Sequence, residues 1–274
     1  MNNPLSYSSL KLDLFSKDGI RLKPASGFVV EAGSQYYLIT NRHVVSSSDI
    51  PAGGQQEPMI EPYLLKTSIH IYSGVGEESH PFSMGIRKRM TVQLYDEKHM
   101  SKWIEHQATQ NNQPLIDVVA LPIQLDQFLR PPIPGIQNTM SYWPDSQPKH
   151  WWAKFSSIPL SAIDTDMEYG PPDAVYIIGY PLSWAPTGID KSSTAFWRTS
   201  SIASELDEPG RTHANAFFID PSAPEGMTGS PVVGMKNGRT KLLGIYSDSS
   251  TVEFGANAGL VWDALIVKEL FGAS

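Results

Sequence analysis

Apolar and polar residues alternate in short runs along most of this chain. Leu10, Leu12 and Leu14 stand one polar residue apart, the period of a half-buried strand, and Lys17-Asp18-Gly19 ends the run in a turn. Two more apolar runs follow, Gly27-Phe28-Val29-Val30-Glu31 and Tyr36-Tyr37-Leu38-Ile39-Thr40, joined by a turn at Ala32-Gly33-Ser34. The same reading predicts strands over 68–72, 90–95 and 118–123, then over 175–180, 195–202, 216–219, 230–234, 241–246 and 256–261. One segment reads as a helix. It runs over 262–270, with Leu265, Val267 and Leu270 set among polar residues and Asp263 in the first turn. The polar stretches 46–56 and 107–113 read as loops.

Between Arg130 and Trp152 the prolines at Pro131, Pro132, Pro134, Pro144 and Pro148, with Gly135, forbid regular structure. The segment 131–152 is therefore expected to link two halves, 1–130 and 153–274. Trp143, Trp151 and Trp152 are expected to anchor it to a domain surface. Many short strands and one closing helix predict an all-β chain, built as paired antiparallel barrels or sandwiches.

Composition narrows the function classes. At 274 residues the chain can bury a real core, and 41 % hydrophobic with 10 % aromatic residues exclude whole-chain disorder. Lys+Arg 21 against Asp+Glu 28 gives a net charge of −7, which offers no electrostatic support for binding nucleic acid or an anionic membrane. The short basic run Arg87-Lys88-Arg89 reads as a solvated strand end. With no cysteine, disulfides, thiol nucleophiles and zinc–thiolate sites are excluded. The polar start Met1-Asn2-Asn3-Pro4 lacks a signal-peptide core, and no apolar run approaches the ~18 residues of a membrane helix. The expectation is a soluble, cytoplasmic protein. Of the seven histidines, His70, His80, His99, His106, His150 and His213 show no paired ligand spacing, so neither a metal nor a cofactor is expected.

Three segments carry chemistry together. In Leu38-Ile39-Thr40-Asn41-Arg42-His43-Val44-Val45, a strand ends and an imidazole stands where the chain turns, with a pKa suited to proton transfer near neutrality. In Leu115-Ile116-Asp117-Val118-Val119-Ala120-Leu121, a carboxylate heads an apolar strand, where burial is costly unless something pairs with it. It either caps a turn or orients an imidazole. In Pro224-Glu225-Gly226-Met227-Thr228-Gly229-Ser230-Pro231, a hydroxyl sits in a glycine-rich turn whose N–H groups can converge on an oxyanion.

In this order the three segments resemble the trypsin/chymotrypsin-like peptidases. Thr40-Asn41-Arg42-His43 is similar to that family's histidine turn, Asp117-Val118-Val119-Ala120-Leu121 to its aspartate strand, and Gly226-Met227-Thr228-Gly229-Ser230-Pro231 to its nucleophile loop. Ser26-Gly27-Phe28-Val29-Val30, Gly179-Tyr180-Pro181 and Leu243-Gly244-Ile245 extend the likeness over nearly the whole chain. The resemblance implies two antiparallel six-stranded β-barrels with a C-terminal helix and an active site in the cleft between them. His43 would act as general base and then general acid, Asp117 would fix its tautomer, and Thr228 would be the nucleophile. The N–H groups of Gly226 and Thr228 would form the oxyanion hole. Ser222, Ala223 and Glu225 would border the primary pocket. A peptide or protein substrate would add as a strand along Gly244, Ile245, Tyr246 and Ser247.

Two departures matter. The family's pattern has serine where this chain has Thr228, whose β-methyl restricts χ1 and must avoid the imidazole. Retention of His43 and Asp117 favours activity; a pseudopeptidase that binds extended peptides, and an acyl-ester hydrolase, are the rival expectations. Ser230 supplies a second hydroxyl nearby. Met227 stands where secreted members carry a carboxylate that receives a new N-terminus, so no zymogen step of that kind is expected: the fold should be competent from Met1, or gated by a regulatory partner. With no carboxylate at Ser222, a small or medium apolar residue is expected before the scissile bond.

Overall fold

The computed structural model describes residues 5–46, 60–75, 84–110, 116–124, 151–160, 163, 169–182, 195–204, 215–247 and 258–272. Along them run the helical turn α1 (Leu5–Ser8) and strands β1 (Ser9–Phe15), β2 (Ala25–Ala32) and β3 (Gln35–Thr40), then the turn α2 (Arg42–Val45). Strands β4 (Leu64–Val75), β5 (Met84–Gln93) and β6 (Ile104–Glu105) precede the turn α3 (Gln107–Gln110), β7 (Val119–Ile123), β8 (Trp151–Phe155) and β9 (Ile158–Pro159). The rest is β10 (Ala174–Gly179), β11 (Phe196–Ile202), β12 (Ala216–Asp220), β13 (Pro231–Lys236), β14 (Arg239–Ser247), β15 (Gly259–Asp263) and the helix α4 (Leu265–Leu270).

The chain is all-β with a C-terminal helix. Strands β10-β11-β12-β15-β14-β13 close a six-stranded barrel. The first unit is a half-barrel of nine strands in the order β5-β4-β1-β2-β3-β7-β6, with β8 on β4 and β9 on β2. It curls because β1 divides its pairing: Ser9 to Leu12 lie against β2, whereas Asp13 to Phe15 lie against β4. Past β5, the Lys102 N–H to Leu94 carbonyl bond (2.9 Å) turns the chain back towards β6.

Burial explains why β2, β3 and β7 read as nearly continuous apolar runs. Val29, Leu38, Val119 and Leu121 fill the first unit's own core with Leu10, Leu12 and Leu14. Their sequence neighbours Phe28, Val30, Ile39, Val118 and Ala120 face the other way, into a second cluster with Ile178, Val233, Ile245 and Trp262. These strands are therefore buried on both faces, and the second face is the seam between the two units. Ile266, Val267 and Leu270 of α4 close that seam. Val175, Ile177, Phe217, Val232, Tyr246 and Val261 fill the closed barrel.

Several boundaries differ from the sequence reading. Trp262 and Asp263 belong to β15, because the barrel ladder extends to them through Ala216 opposite Trp262 and Gly244 opposite Asp263. The helix begins at Leu265, whose N–H is received by Asp263 Oδ1 at 2.8 Å. Gln107–Gln110 forms a helical turn, not a loop. Trp151 and Trp152 stand in β8, paired with Val75 and Gly74, so the first sheet takes strands from beyond the proline-rich segment. Pro131, Pro148, Trp143 and the rest of 131–150 lie outside the described residues, as do 47–56.

Candidate active site

His43 is delivered to the seam by a strand that ends early. At Thr40 the ladder with β7 stops, and Asn41, in extended conformation, turns the chain into the short helix α2. The turn is stitched to the segment before β7. Asn41 Nδ2 donates to the Asp117 carbonyl at 2.8 Å, and the Arg42 N–H reaches the same oxygen at 3.3 Å. The Asp117 carboxylate then grips His43 twice: Oδ1 accepts the backbone N–H at 2.9 Å and Oδ2 meets Nδ1 at 2.7 Å. A carboxylate at Nδ1 requires that nitrogen to carry its proton, which assigns proton exchange to Nε2. The Asp117 side chain is 15 % exposed and that of His43 30 %, so the pair sits at the edge of solvent.

Asp117 has a third partner in Ser247, whose Oγ donates to Oδ2 at 3.2 Å. This changes the reading of the 244–247 segment. Gly244 and Ile245 are paired on both sides, to β13 and to β15, and Tyr246 is paired to β15 on one side and bonded to Gly229 and Ser230 on the other, so they offer no edge to a substrate strand. The Tyr246 ring is buried at 1 % exposure, and its hydroxyl clamps the 223 backbone, accepting from the Ala223 N–H (3.0 Å) and donating to its carbonyl (3.1 Å). Those three residues are barrel wall, and Ser247 is a support for the acid. Nothing in the sequence separated wall from edge, because that depends on which strands flank β14.

The loop bearing Thr228 is fixed by backbone bonds. The N–H groups of Met227, Gly229 and Ser230 go to the carbonyls of Pro224, Tyr246 and Met227. Those of Gly226 and Thr228 have no partner among the described residues, and these are the two that the sequence assigned to an oxyanion. The direction of the first is set from behind: Leu182 N–H holds the Glu225 carbonyl at 2.8 Å, which turns the Gly226 N–H of the same peptide the opposite way. Gly226 has φ +94°, open to glycine alone at low cost. The Glu225 side chain pairs with Lys23 Nζ at 2.8 Å on the rim, and Ser222 is half-buried on the segment after β12.

Ser26 joins the loop to the histidine turn, a role the sequence did not reveal. Its N–H donates to the Thr228 carbonyl (2.8 Å) and its Oγ to the Gly226 carbonyl (2.9 Å). Its own carbonyl accepts Thr40 Oγ1 at 2.9 Å, three residues before His43. Ser230, by contrast, is fully buried, its hydroxyl against Gly179 and without a hydrogen-bond partner among the described residues. It cannot meet a substrate. Among the described residues, no group of three His, Asp or Glu side chains clusters as metal ligands.

No family model and no curated protein matches the sequence. Among solved structures, the chain is similar to the HtrA-type protease AlgW, a serine-to-alanine variant with a tripeptide, at 13 % identity and a TM-score of 0.49. That likeness covers 97 % of this chain and 60 % of the other, so this chain spans less than two thirds of it. It is also similar to Rv3671c from M. tuberculosis, a serine-to-alanine mutant in an inactive form, at 15 % identity, a TM-score of 0.44, and coverage of 99 % and 90 %.

Proposed function

We propose that this protein hydrolyses peptide bonds through His43, Asp117 and Thr228. The observation that supports this best is the double grip of Asp117 on His43, at the backbone N–H and at Nδ1, which holds the imidazole in one tautomer, while Ser26 ties the Thr228 loop to Thr40, three residues before His43. In the reading, Nε2 of His43 takes the Thr228 hydroxyl proton as the oxygen attacks the carbonyl carbon. The tetrahedral oxyanion is received by the Gly226 and Thr228 N–H groups. The imidazolium, stabilised by Asp117, then protonates the leaving amine, and water repeats the sequence to release the acyl group.

The β-methyl of Thr228 sets the rate. It leaves fewer χ1 rotamers than serine has, and a misplacement of about 1 Å costs on the order of 10²-fold. The test is hydrolysis of a fluorogenic peptide library by the chain and its Thr228→Ser, Thr228→Ala and His43→Ala variants. Turnover by the unaltered chain that both alanine variants abolish is the expected result. If only Thr228→Ser cleaves, the scaffold is a peptidase silenced by one methyl. If all four are inert yet bind peptide, hydrolysis is refuted and the cleft is a binding site.

A further inference from the structure

Arg42, the residue before His43, buries most of its side chain, and its Nε donates to Glu105 Oε1 at 3.0 Å. The same oxygen accepts the Trp103 indole N–H at 2.8 Å. Glu105 lies in β6 opposite Val119, two residues beyond Asp117, so the ion pair runs from the turn that carries His43 to the strand that follows its carboxylate. The Arg42 backbone adds to the same connection: its N–H meets the Asp117 carbonyl, and its own carbonyl accepts the Ser46 N–H at 2.9 Å. Filling this space needs no charge, and burying an ion pair gains little stability over an apolar side chain of similar volume. The charges therefore call for a role other than packing.

We propose that Arg42 and Glu105 form a positioning pair for His43, locking its turn onto β6 while cancelling, beside the imidazole, a charge that alone would shift its basicity. The proposal rests on His43 being the general base. A lone guanidinium one residue away disfavours the imidazolium, a lone carboxylate favours it, and the matched pair leaves the setting to Asp117. The other titratable group in the field of both charges is Tyr95, which has Glu61 and, through it, His99 as neighbours. Tyr95 donates its hydroxyl to Glu61 at 2.7 Å, and His99 Nε2 lies 3.4 Å from the same carboxylate. The Tyr95 phenol is pushed up by burial first and then by Glu61, with Arg42 pulling it down and Glu105 raising it, so it lies within the field of both charges. Glu61 and His99 are well exposed and screened by solvent. His106, next to Glu105, turns to Glu269 at 2.8 Å.

The test is an NMR titration of the His43 imidazole at low salt in the full chain and in Glu105→Gln, Arg42→Gln and the double variant. Glu105→Gln is expected to lower the imidazole pKa by about half a unit, Arg42→Gln to raise it by about as much, and the double variant to restore it. Shifts of the same sign, or none, in folded variants overturn the proposal. If both single variants lose the fold, a double variant that folds supports charge matching, and one that does not overturns it. Because the readout is the imidazole and not turnover, an inert chain leaves this test intact, and a failed titration leaves the peptidase reading standing.

Discussion

Replacing Gly229 with alanine separates steric fit from backbone strain at the loop. Gly229 has φ +87°, and a Cβ there would stand 2.1 Å from the Ser26 carbonyl oxygen and 2.4 Å from Thr40 Oγ1. Gly238, in the β13–β14 turn, has φ +72° with nothing within 4 Å of such a Cβ. Both substitutions carry the left-handed penalty of about 1 kcal/mol. At Gly229 the neighbours must also withdraw by roughly 1 Å to reach ordinary contact, which breaks the Thr40 Oγ1 bond to Ser26 and the Ser26 N–H bond to Thr228. Losing two buried hydrogen bonds, with their groups left unsatisfied, adds about 3 kcal/mol. The expected loss is therefore about 4 kcal/mol for Gly229→Ala against about 1 kcal/mol for Gly238→Ala. At this chain length that corresponds to melting points lowered by about 7 °C and about 2 °C. Urea unfolding followed by tryptophan fluorescence reads both variants. Equal losses, within about 1 kcal/mol, would refute the argument that Ser26, Thr40 and Gly229 form one tightly fitted joint between the units.

Asp117→Asn keeps the shape but removes the charge and offers Nδ1 the wrong tautomer; a kcat lowered by roughly 10³–10⁴-fold, with KM nearly unchanged, is expected in peptide hydrolysis. Ser230→Ala removes a buried hydroxyl that has no partner among the described residues, so stability should hold or rise by up to about 1 kcal/mol in thermal melts, and any turnover should persist. Asp173 has its pKa lowered, first by the Lys236 ammonium hydrogen-bonded to it at 2.6 Å and then by the Gly170 N–H. A depressed carboxylate contributes stability above its unfolded pKa of about 3.9 and loses it as pH falls through the folded value. The stability gap between the protein and Asp173→Asn should thus be present at pH 6 and close under strongly acidic conditions; melts that keep the gap unchanged in acid would contradict this.

The strand content and the three chemistry-bearing segments were legible because each is a local pattern. Leu10, Leu12 and Leu14 show a period of two, Asp117 is a carboxylate at the head of an apolar run, and Gly226-Met227-Thr228-Gly229 is a glycine-rich turn. Helix and strand were confused at Trp262 and Asp263, where a short apolar run suits either and the barrel partner decided. The paired state of Gly244, Ile245 and Tyr246 was equally out of reach, since an edge is defined by which strands lie beside it. The sequence alone singled out His43, Asp117 and Thr228 as candidates for chemistry. Only the packing of the two units decided that Ser247 supports Asp117, that Ser230 is sealed away, and that Ser26, 200 residues from Gly226, holds its carbonyl. Such contacts join residues distant in sequence, and no local pattern carries them.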